Sequence, residues 1–166
     1  MDAQRTIRRP ISCVGIGLHS GNKVHLSLKP APADFGIRFR RTDLGDHDVP
    51  ATVHHLAGIQ LATGLARNEV SVETVEHLLA ALVSMNVDNV LIELNSPEVP
   101  IMDGSAAPFV YLIELAGLRP QRRMRRRLVI RRPIGVRDGN RSVRVVPSRD
   151  FKISVAIDYP HVSIGR

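Results

Sequence analysis

An internal repeat constrains the fold of this 166-residue chain more than any other feature of its sequence. The pentapeptide Ile-Arg-Arg-Pro-Ile occurs at residues 7–11 and again, letter for letter, at residues 130–134. In both copies a Gly-Asn-basic turn, an alternating strand pattern and a proline follow in the same order, ending at Pro30 and Pro147. This ordered recurrence predicts a duplicated structural unit.

Alternation of apolar and polar residues predicts short strands in the first copy. The predicted strands cover residues 5–12, 23–29, 36–40 and 87–94. The clearest is the second, in which Val24, Leu26 and Leu28 share one face. The polar stretch 41–50 is predicted to be a loop.

Two helices are predicted in the first copy. The first begins near Thr74 as its N-cap, carries Glu76 in its first turn and stops at Asn86. The second is capped by Ser105 and ends at Gly117. Because a sheet must cover its apolar face, each unit is expected to pack a sheet against two helices.

The predicted fold class is therefore α+β, a duplicated sheet-plus-two-helices domain. Residues 1–120 form the complete first domain, residues 121–127 a basic linker, and residues 128–166 the beginning of a second domain that is truncated after its opening strands. A complete second copy needs about as many residues as the first. We therefore expect the chain to be a fragment, one part of a split gene or a truncated open frame.

The net charge of +7 comes from one segment. Eight arginines lie between Arg119 and Arg132, and without them 15 basic residues face 16 acidic ones. Such a run can bind nucleic acid or anionic lipid. No aromatic residue interleaves to stack on bases, so a solvated linker is the favoured interpretation and no nucleic-acid partner is expected.

Other features narrow the class of protein. No apolar run reaches the roughly 18 residues of a membrane span, and the N-terminus lacks the apolar core of a signal peptide. Cys13 stands alone, without a disulfide framework or a CxxC metal site. These features predict a cytoplasmic protein with no membrane span.

Glu76 and His77 are the candidate catalytic pair. On a helix, His77 lies opposite the stripe of Leu78 and Leu82. A carboxylate beside a metal ligand suits metal-assisted hydrolysis, because the water on a zinc ion needs a nearby base. On spacing alone, a solvated first helical turn is the default interpretation. Catalytic zinc usually takes three protein ligands, and His77 is the one convincing ligand in the sequence.

Two loops allow alternative interpretations. His19 lies in the glycine-rich turn 15–21, where backbone amides can approach an anion, although a hairpin turn with a surface histidine explains the pattern as well. Asp103 either starts a turn and helix cap or orients a histidine that binds metal.

Taken together, these segments resemble the N-terminal part of the UDP-3-O-acyl-N-acetylglucosamine deacetylases, the zinc enzymes of lipid A synthesis. The matching segments are residues 4–7, 15–21, 74–82, 87–90 and 100–110. The resemblance implies two similar domains whose helices meet between the sheets. It implies hydrolytic removal of acetate from the glucosamine nitrogen of a UDP-linked, acylated N-acetylglucosamine, the committed step of that synthesis.

The resemblance also implies roles for individual residues. His77 is implied as a Zn²⁺ ligand and Glu76 as the general base, while Leu18, His19 and Thr63 are implied on the substrate side. The family's other zinc ligands, a histidine and an aspartate, fall in the second half of its members. The resemblance thus implies a complementing C-terminal half, and we expect this chain alone to be inactive. The alternative is a non-catalytic fragment or binding module with an exposed helix face.

Overall fold

The computed structural model describes residues 2–45, 47–158 and 163. The chain divides into two compact units, Met1–Arg125 and Arg126–Arg166. The described residues form four β-sheets and two α-helices. The α+β class predicted from the sequence is confirmed.

The first unit contains both helices and most of the strands. Its helices are α1 (Glu76–Ser84) and α2 (Ala107–Ala116). Its strands are β1 (Ala3–Ile7), β2 (Ile11–Ile16), β3 (Lys23–Pro30), β4 (Ile37–Arg41), β5 (His47–Pro50), β6 (Leu56–Gly58), β7 (Gly64–Arg67), β8 (Val70–Val72), β9 (Val90–Leu94) and β10 (Leu118–Met124). Two short 3₁₀-helices span Thr42–Leu44 and Val53–His55.

A five-stranded sheet of order β2-β3-β9-β4-β5 forms the centre of this unit. Neighbouring strands are antiparallel except for the parallel pair β4 and β9. As the alternation predicts, Val24, Leu26 and Leu28 are buried together in the core. Leu26 lies opposite Leu94 on the adjacent strand, so the apolar face continues across the sheet.

The end of each helix follows its predicted signal, but the starts do not. Asn86 has the positive φ (57°) that ends α1, and Gly117 (φ 69°) caps α2. The N-cap position of α2 is Ala106, not Ser105, and it has no side-chain cap, although Ser105 Oγ accepts the Ala107 N–H at 3.1 Å. The N-cap position of α1 is Val75, not Thr74, and it receives no side-chain cap. The prediction of Thr74 was wrong because its hydroxyl has another partner, described below. In the part of the chain that the structure describes, neither helix is long and apolar enough to cross a membrane.

Residues 41–50 are not simply a polar loop. They contain β5, which pairs with β4 so that buried Val49 lies opposite Phe39. Arg40 Nε lies 2.6 Å from Asp48 Oδ1 across the same pair. The sequence conceals this strand because it is only four residues long and Val49 is its single buried side chain.

The basic segment departs from its predicted role as a linker. β10 pairs with β1 in an antiparallel ribbon, with Ile7 opposite Leu118 and Ala3 opposite Met124. Arg125 follows, and its Nε lies 2.7 Å from Asp88 Oδ1. The predicted linker 121–127 therefore begins inside a strand, because an exposed strand can form its backbone hydrogen bonds while its charged side chains stay in water.

A network of buried side-chain amides connects two of the segments on which the family resemblance rests, residues 4–7 and 87–90. Asn89 Nδ2 donates to Gln4 Oε1 and to Gln121 Oε1, both at 2.8 Å. Asn89 Oδ1 accepts the Gly36 N–H at 2.8 Å. Buried amides are costly unless they are hydrogen-bonded, so these residues join the ribbon of β1 and β10 to the central sheet.

The second unit repeats the opening of the first in part. β11 (Ile134–Asp138) starts after Pro133, as β2 starts after Pro10, and it forms a hairpin with β12 (Arg141–Val145). Phe151-Lys152-Ile153 repeats the spacing of Phe35-Gly36-Ile37, which opens the next strand in the first copy and so predicts a strand here as well, but residues 151–158 form no strand. In the first unit the corresponding β4 is paired by β5 and β9, and no described residue of the second unit takes either place.

Candidate active site

The start of α1 carries the predicted catalytic pair. Glu76 is exposed to solvent, whereas His77 is 8% exposed. His77 shares its side of the helix with buried Ala81. Its ring packs edge-on against Phe109 of α2, with centroids 5.1 Å apart and planes at 70°. On the side of α1 opposite the predicted apolar stripe, His77 and Ala81 are thus buried, whereas Ala80 and Ser84 remain exposed.

A backbone carbonyl fixes the tautomer of His77. Its Nε2 lies 2.9 Å from the carbonyl oxygen of Pro100. Because a carbonyl oxygen can only accept, the proton of the neutral ring belongs on Nε2 and the lone pair on Nδ1. Histidines that bind metals commonly donate their other ring N–H to a carbonyl or carboxylate in this way. Nδ1 is therefore the atom of His77 with the chemistry to bind a metal.

Thr63 and Glu76, 13 residues apart, meet at a hydrogen bond. The Thr63 backbone N–H donates to Glu76 Oε1. Burial raises the pKa of Glu76, but hydrogen bonds from its own backbone N–H and from Thr63 outweigh burial and hold the pKa below its ordinary 4.5. The carboxylate is therefore ionised at neutral pH, which is the form that a general base requires.

Leu18 and His19 lie in the turn between β2 and β3. Both side chains are exposed, Leu18 at 58%. The turn is a hairpin turn with an exposed histidine, which was one of the two interpretations of the sequence, and its amides also contact an anion, a side chain of the same protein. The N–H of His19 lies 3.0 Å from Glu98 Oε1, and that of Ser20 lies 2.8 Å from Glu98 Oε2.

Glu98 is the residue that the sequence analysis missed. Its side chain is buried, with 1% of the residue exposed, and it also accepts the Thr74 hydroxyl at 3.0 Å. Burial raises the pKa of Glu98, but the N–H groups of His19 and Ser20 and the hydroxyls of Ser20 and Thr74 lower it to about 2. The Thr74 hydroxyl, which was predicted to cap α1, therefore donates its hydrogen bond to Glu98 instead. Glu98 has no spacing signal in the sequence, because its partners lie 24 and 78–79 residues away.

The two glycines before Leu18 allow this contact. A Cβ on Gly17 would lie 2.4 Å from Glu98 Oε2, and one on Gly15 would lie 2.7 Å from the Pro100 Cβ. Both distances are too short for real atoms, so the glycines let the end of β2 approach residues 98–100. The requirement for glycine here is close packing.

Asp103 forms a turn and does not orient His77 by a hydrogen bond. Its Oδ1 accepts the backbone N–H of Ser105 at 2.9 Å and the Ser105 hydroxyl at 2.8 Å. These bonds lower the pKa of Asp103, with a smaller contribution from His77. The Pro100 carbonyl takes the orienting role that was considered for Asp103.

Among the described residues, no three histidine, cysteine, aspartate or glutamate side chains come together as a metal site. The structure therefore brings Glu76, His77 and Thr63 together, and it joins the turn of Leu18 and His19 to the same region through Glu98 and Thr74. The arrangement supplies an ionised carboxylate and one imidazole with a defined lone pair. Those two groups fit one side of a hydrolytic zinc centre.

Comparison with known proteins agrees with the motifs. A sequence model of the family described as LpxC, UDP-3-O-acyl N-acetylglycosamine deacetylase, matches residues 4–166. A Myxococcus xanthus protein named UDP-3-O-acyl-N-acetylglucosamine deacetylase is 50% identical over 159 residues, which cover 95% of this chain and 51% of the relative. Proteins of the same name from Idiomarina loihiensis and Xanthomonas campestris are 47% and 44% identical, and the match covers 99% of this chain and 55% and 54% of theirs.

The chain spans about half the length of the curated relatives it matches. The family match nevertheless covers nearly all of its own residues, and the resemblance predicted from the motifs is confirmed. The chain belongs to the UDP-3-O-acyl N-acetylglycosamine deacetylase family.

Proposed function

We propose that this chain supplies the Glu76–His77 side of an active site that hydrolyses the acetamide of UDP-3-O-acyl-N-acetylglucosamine. The products are acetate and the free amine, and the reaction belongs to lipid A synthesis. The observation that supports this most is the start of α1. There an ionised carboxylate adjoins an imidazole whose Nε2 proton is bound to a carbonyl, which leaves Nδ1 for a metal.

Each residue has a distinct task in this proposal. A zinc ion, when bound, lowers the pKa of the water molecule attached to it and polarises a carbonyl group. His77 would hold the ion through Nδ1, and the Pro100 carbonyl keeps the ring in the tautomer that this requires. Glu76 accepts the proton of the attacking water on its carboxylate, which the Thr63 N–H orients. A base placed in this way contributes roughly 10²–10⁴-fold to the rate.

The substrate side is proposed from position and exposure. Leu18 offers an exposed apolar side chain and His19 an exposed imidazole, both on the turn that Glu98 joins to the start of α1. Thr63 lies at the Glu76 carboxylate. A substrate that combines an acyl chain, a sugar and a nucleotide diphosphate needs both apolar and polar contacts of this kind.

The proposal includes partners outside the chain. A single histidine cannot hold zinc with useful affinity, so the remaining ligands must come from a complementing C-terminal half. We therefore expect the 166-residue chain alone to be inactive. A cytoplasmic location remains a prediction from the sequence. The alternative of a non-catalytic binding module becomes the conclusion if the completed protein has no hydrolytic activity.

The test compares variants of the completed enzyme, made by joining the chain to the C-terminal half of the Myxococcus xanthus relative. Glu76→Gln should lower kcat by roughly 10²–10⁴-fold with zinc content and KM unchanged, because it removes a base and leaves the binding groups in place. Glu69→Gln changes an exposed carboxylate and should match the wild type. An unchanged kcat in Glu76→Gln, or a completed protein that holds zinc but releases no acetate, would refute the proposal.

A further inference from the structure

We propose that Glu98 is a positioning residue: its buried carboxylate ties the turn of Leu18 and His19 to Thr74, and so sets where that turn lies relative to Glu76 and His77. The effect on catalysis rests on the proposed function. The structural part of the proposal concerns the chain by itself.

The carboxylate joins two segments that are distant in sequence. On one side it accepts the backbone N–H groups of His19, at 3.0 and 3.2 Å, and of Ser20, at 2.8 Å. On the other side it accepts the Thr74 hydroxyl at 3.0 Å. Thr74 directly precedes the N-cap of α1 and lies two residues before Glu76. One side chain therefore contacts both the proposed substrate turn and the start of the catalytic helix.

The backbone around Glu98 is held from both sides, so the carboxylate acts from a fixed base. Glu73 donates its N–H to the Pro97 carbonyl at 2.7 Å and accepts the Val99 N–H at 3.0 Å. Ile101 donates to the carbonyl of Ile16, at the end of β2, at 2.9 Å. The segment that carries Glu98 also supplies the carbonyl that orients His77.

The close fit at Gly17 shows that the turn is built around this carboxylate. A Cβ there would meet Glu98 Oε2 at 2.4 Å and Ser20 Oγ at 2.3 Å. Thr74 provides a second sign. It is a β-branched residue at φ 57°, a conformation that is uncommon for such a side chain and is kept where the surroundings fix it.

The chemistry of the contacts requires a carboxylate. The groups that contact Glu98 at the turn are backbone N–H donors, one at each carboxylate oxygen, and an ionised carboxylate can accept both. A glutamine of the same size has one carbonyl oxygen and one NH₂ group. In either orientation of the amide, Glu98→Gln would therefore direct its NH₂ group at the N–H of His19 or of Ser20 and weaken the contact with the turn.

The test uses amide hydrogen exchange, measured by NMR on the 166-residue chain. In Glu98→Gln, exchange at His19, at Ser20 or at both should speed up roughly 10- to 100-fold, the loss expected for a hydrogen bond to a charged group. The control Glu93→Gln removes a carboxylate that lies beside Lys29 on the central sheet, and it should leave both amides unchanged. Wild-type exchange at both amides in Glu98→Gln would overturn the proposal.

If Glu98→Gln fails to fold, Gly17→Ala provides a second test of the proposal. It keeps the charge of Glu98 and places a methyl group where the turn meets the carboxylate. Exchange at His19 and Ser20 should again rise, and unchanged protection would overturn the proposal. In the completed enzyme, Glu98→Gln should lower kcat/KM by roughly 10²-fold through misplacement without loss of zinc. A lower melting temperature with unchanged kcat and KM would reduce Glu98 to a structural residue. If the wild-type completed enzyme releases no acetate, the proposed function fails, and the exchange experiment still decides the role of Glu98.

Discussion

Acid should destabilise the first unit through Glu98 in particular, and the size of the effect follows from its surroundings. Its pKa is about 2 in the folded chain, whereas the ordinary pKa of a glutamate, taken here for the unfolded chain, is 4.5. That gap corresponds to about 3 kcal/mol of folding free energy at neutral pH. Because the folded pKa is the lower one, this stability is present above pH 4.5 and is lost as the pH falls toward 2.

The assay is urea unfolding of the wild type, Glu98→Gln and the control Glu93→Gln at a series of pH values from 7 down to 2.5. At pH 7, Glu98→Gln should be less stable than the wild type by roughly 3 kcal/mol. The difference should shrink as the pH falls below 4.5, since the unfolded wild-type chain then binds a proton that the folded chain does not bind until the pH is about 2. Other carboxylates titrate in both proteins and cancel in the comparison. A difference between wild type and Glu98→Gln that does not change with pH would refute the reasoning.

Three further changes test the site and its support. His77→Ala in the completed enzyme should lower the zinc retained after dialysis, and full occupancy would remove His77 from the ligands. Asn89→Ala should cost roughly 2–4 kcal/mol in urea unfolding, because it leaves buried partners on Gln4 and Gln121 unpaired; a cost near that of the exposed control Asn22→Ala would contradict the network. Gly17→Ala should raise KM in the completed enzyme more than it lowers kcat, because it displaces the substrate turn, and unchanged kinetics would separate that turn from substrate binding.

Local patterns predicted what depends on neighbours in sequence. The alternation at Val24, Leu26 and Leu28 gave the correct buried face. Asn86 and Gly117 marked the helix ends, because a positive φ is a local property of the backbone. The glycine-rich sequence at 15–21 also corresponds to a hairpin turn, between β2 and β3.

The misses involve partners that are distant in sequence. Nothing near Glu98 indicates that it is buried, because the groups that satisfy it come from a turn 78–79 residues earlier and from Thr74. The local sequence likewise predicts Thr74 as the cap of α1, because the distant partner of its hydroxyl, Glu98, cannot be read from neighbouring residues. The arginine-rich sequence of β10 predicts a linker. Its pairing with β1 is made by backbone groups, so the order of side chains gives no sign of a strand.

The most direct test of the account is zinc content and acetate release, measured together on the chain alone and on the chain completed by the C-terminal half of its relative. We expect the chain alone to lose zinc on dialysis and to release no acetate, and the completed protein to retain about one zinc, as catalytic centres do, and to release acetate from UDP-3-O-acyl-N-acetylglucosamine. Stoichiometric zinc with turnover in the 166-residue chain alone would contradict the claim that Glu76 and His77 form one side of a shared centre.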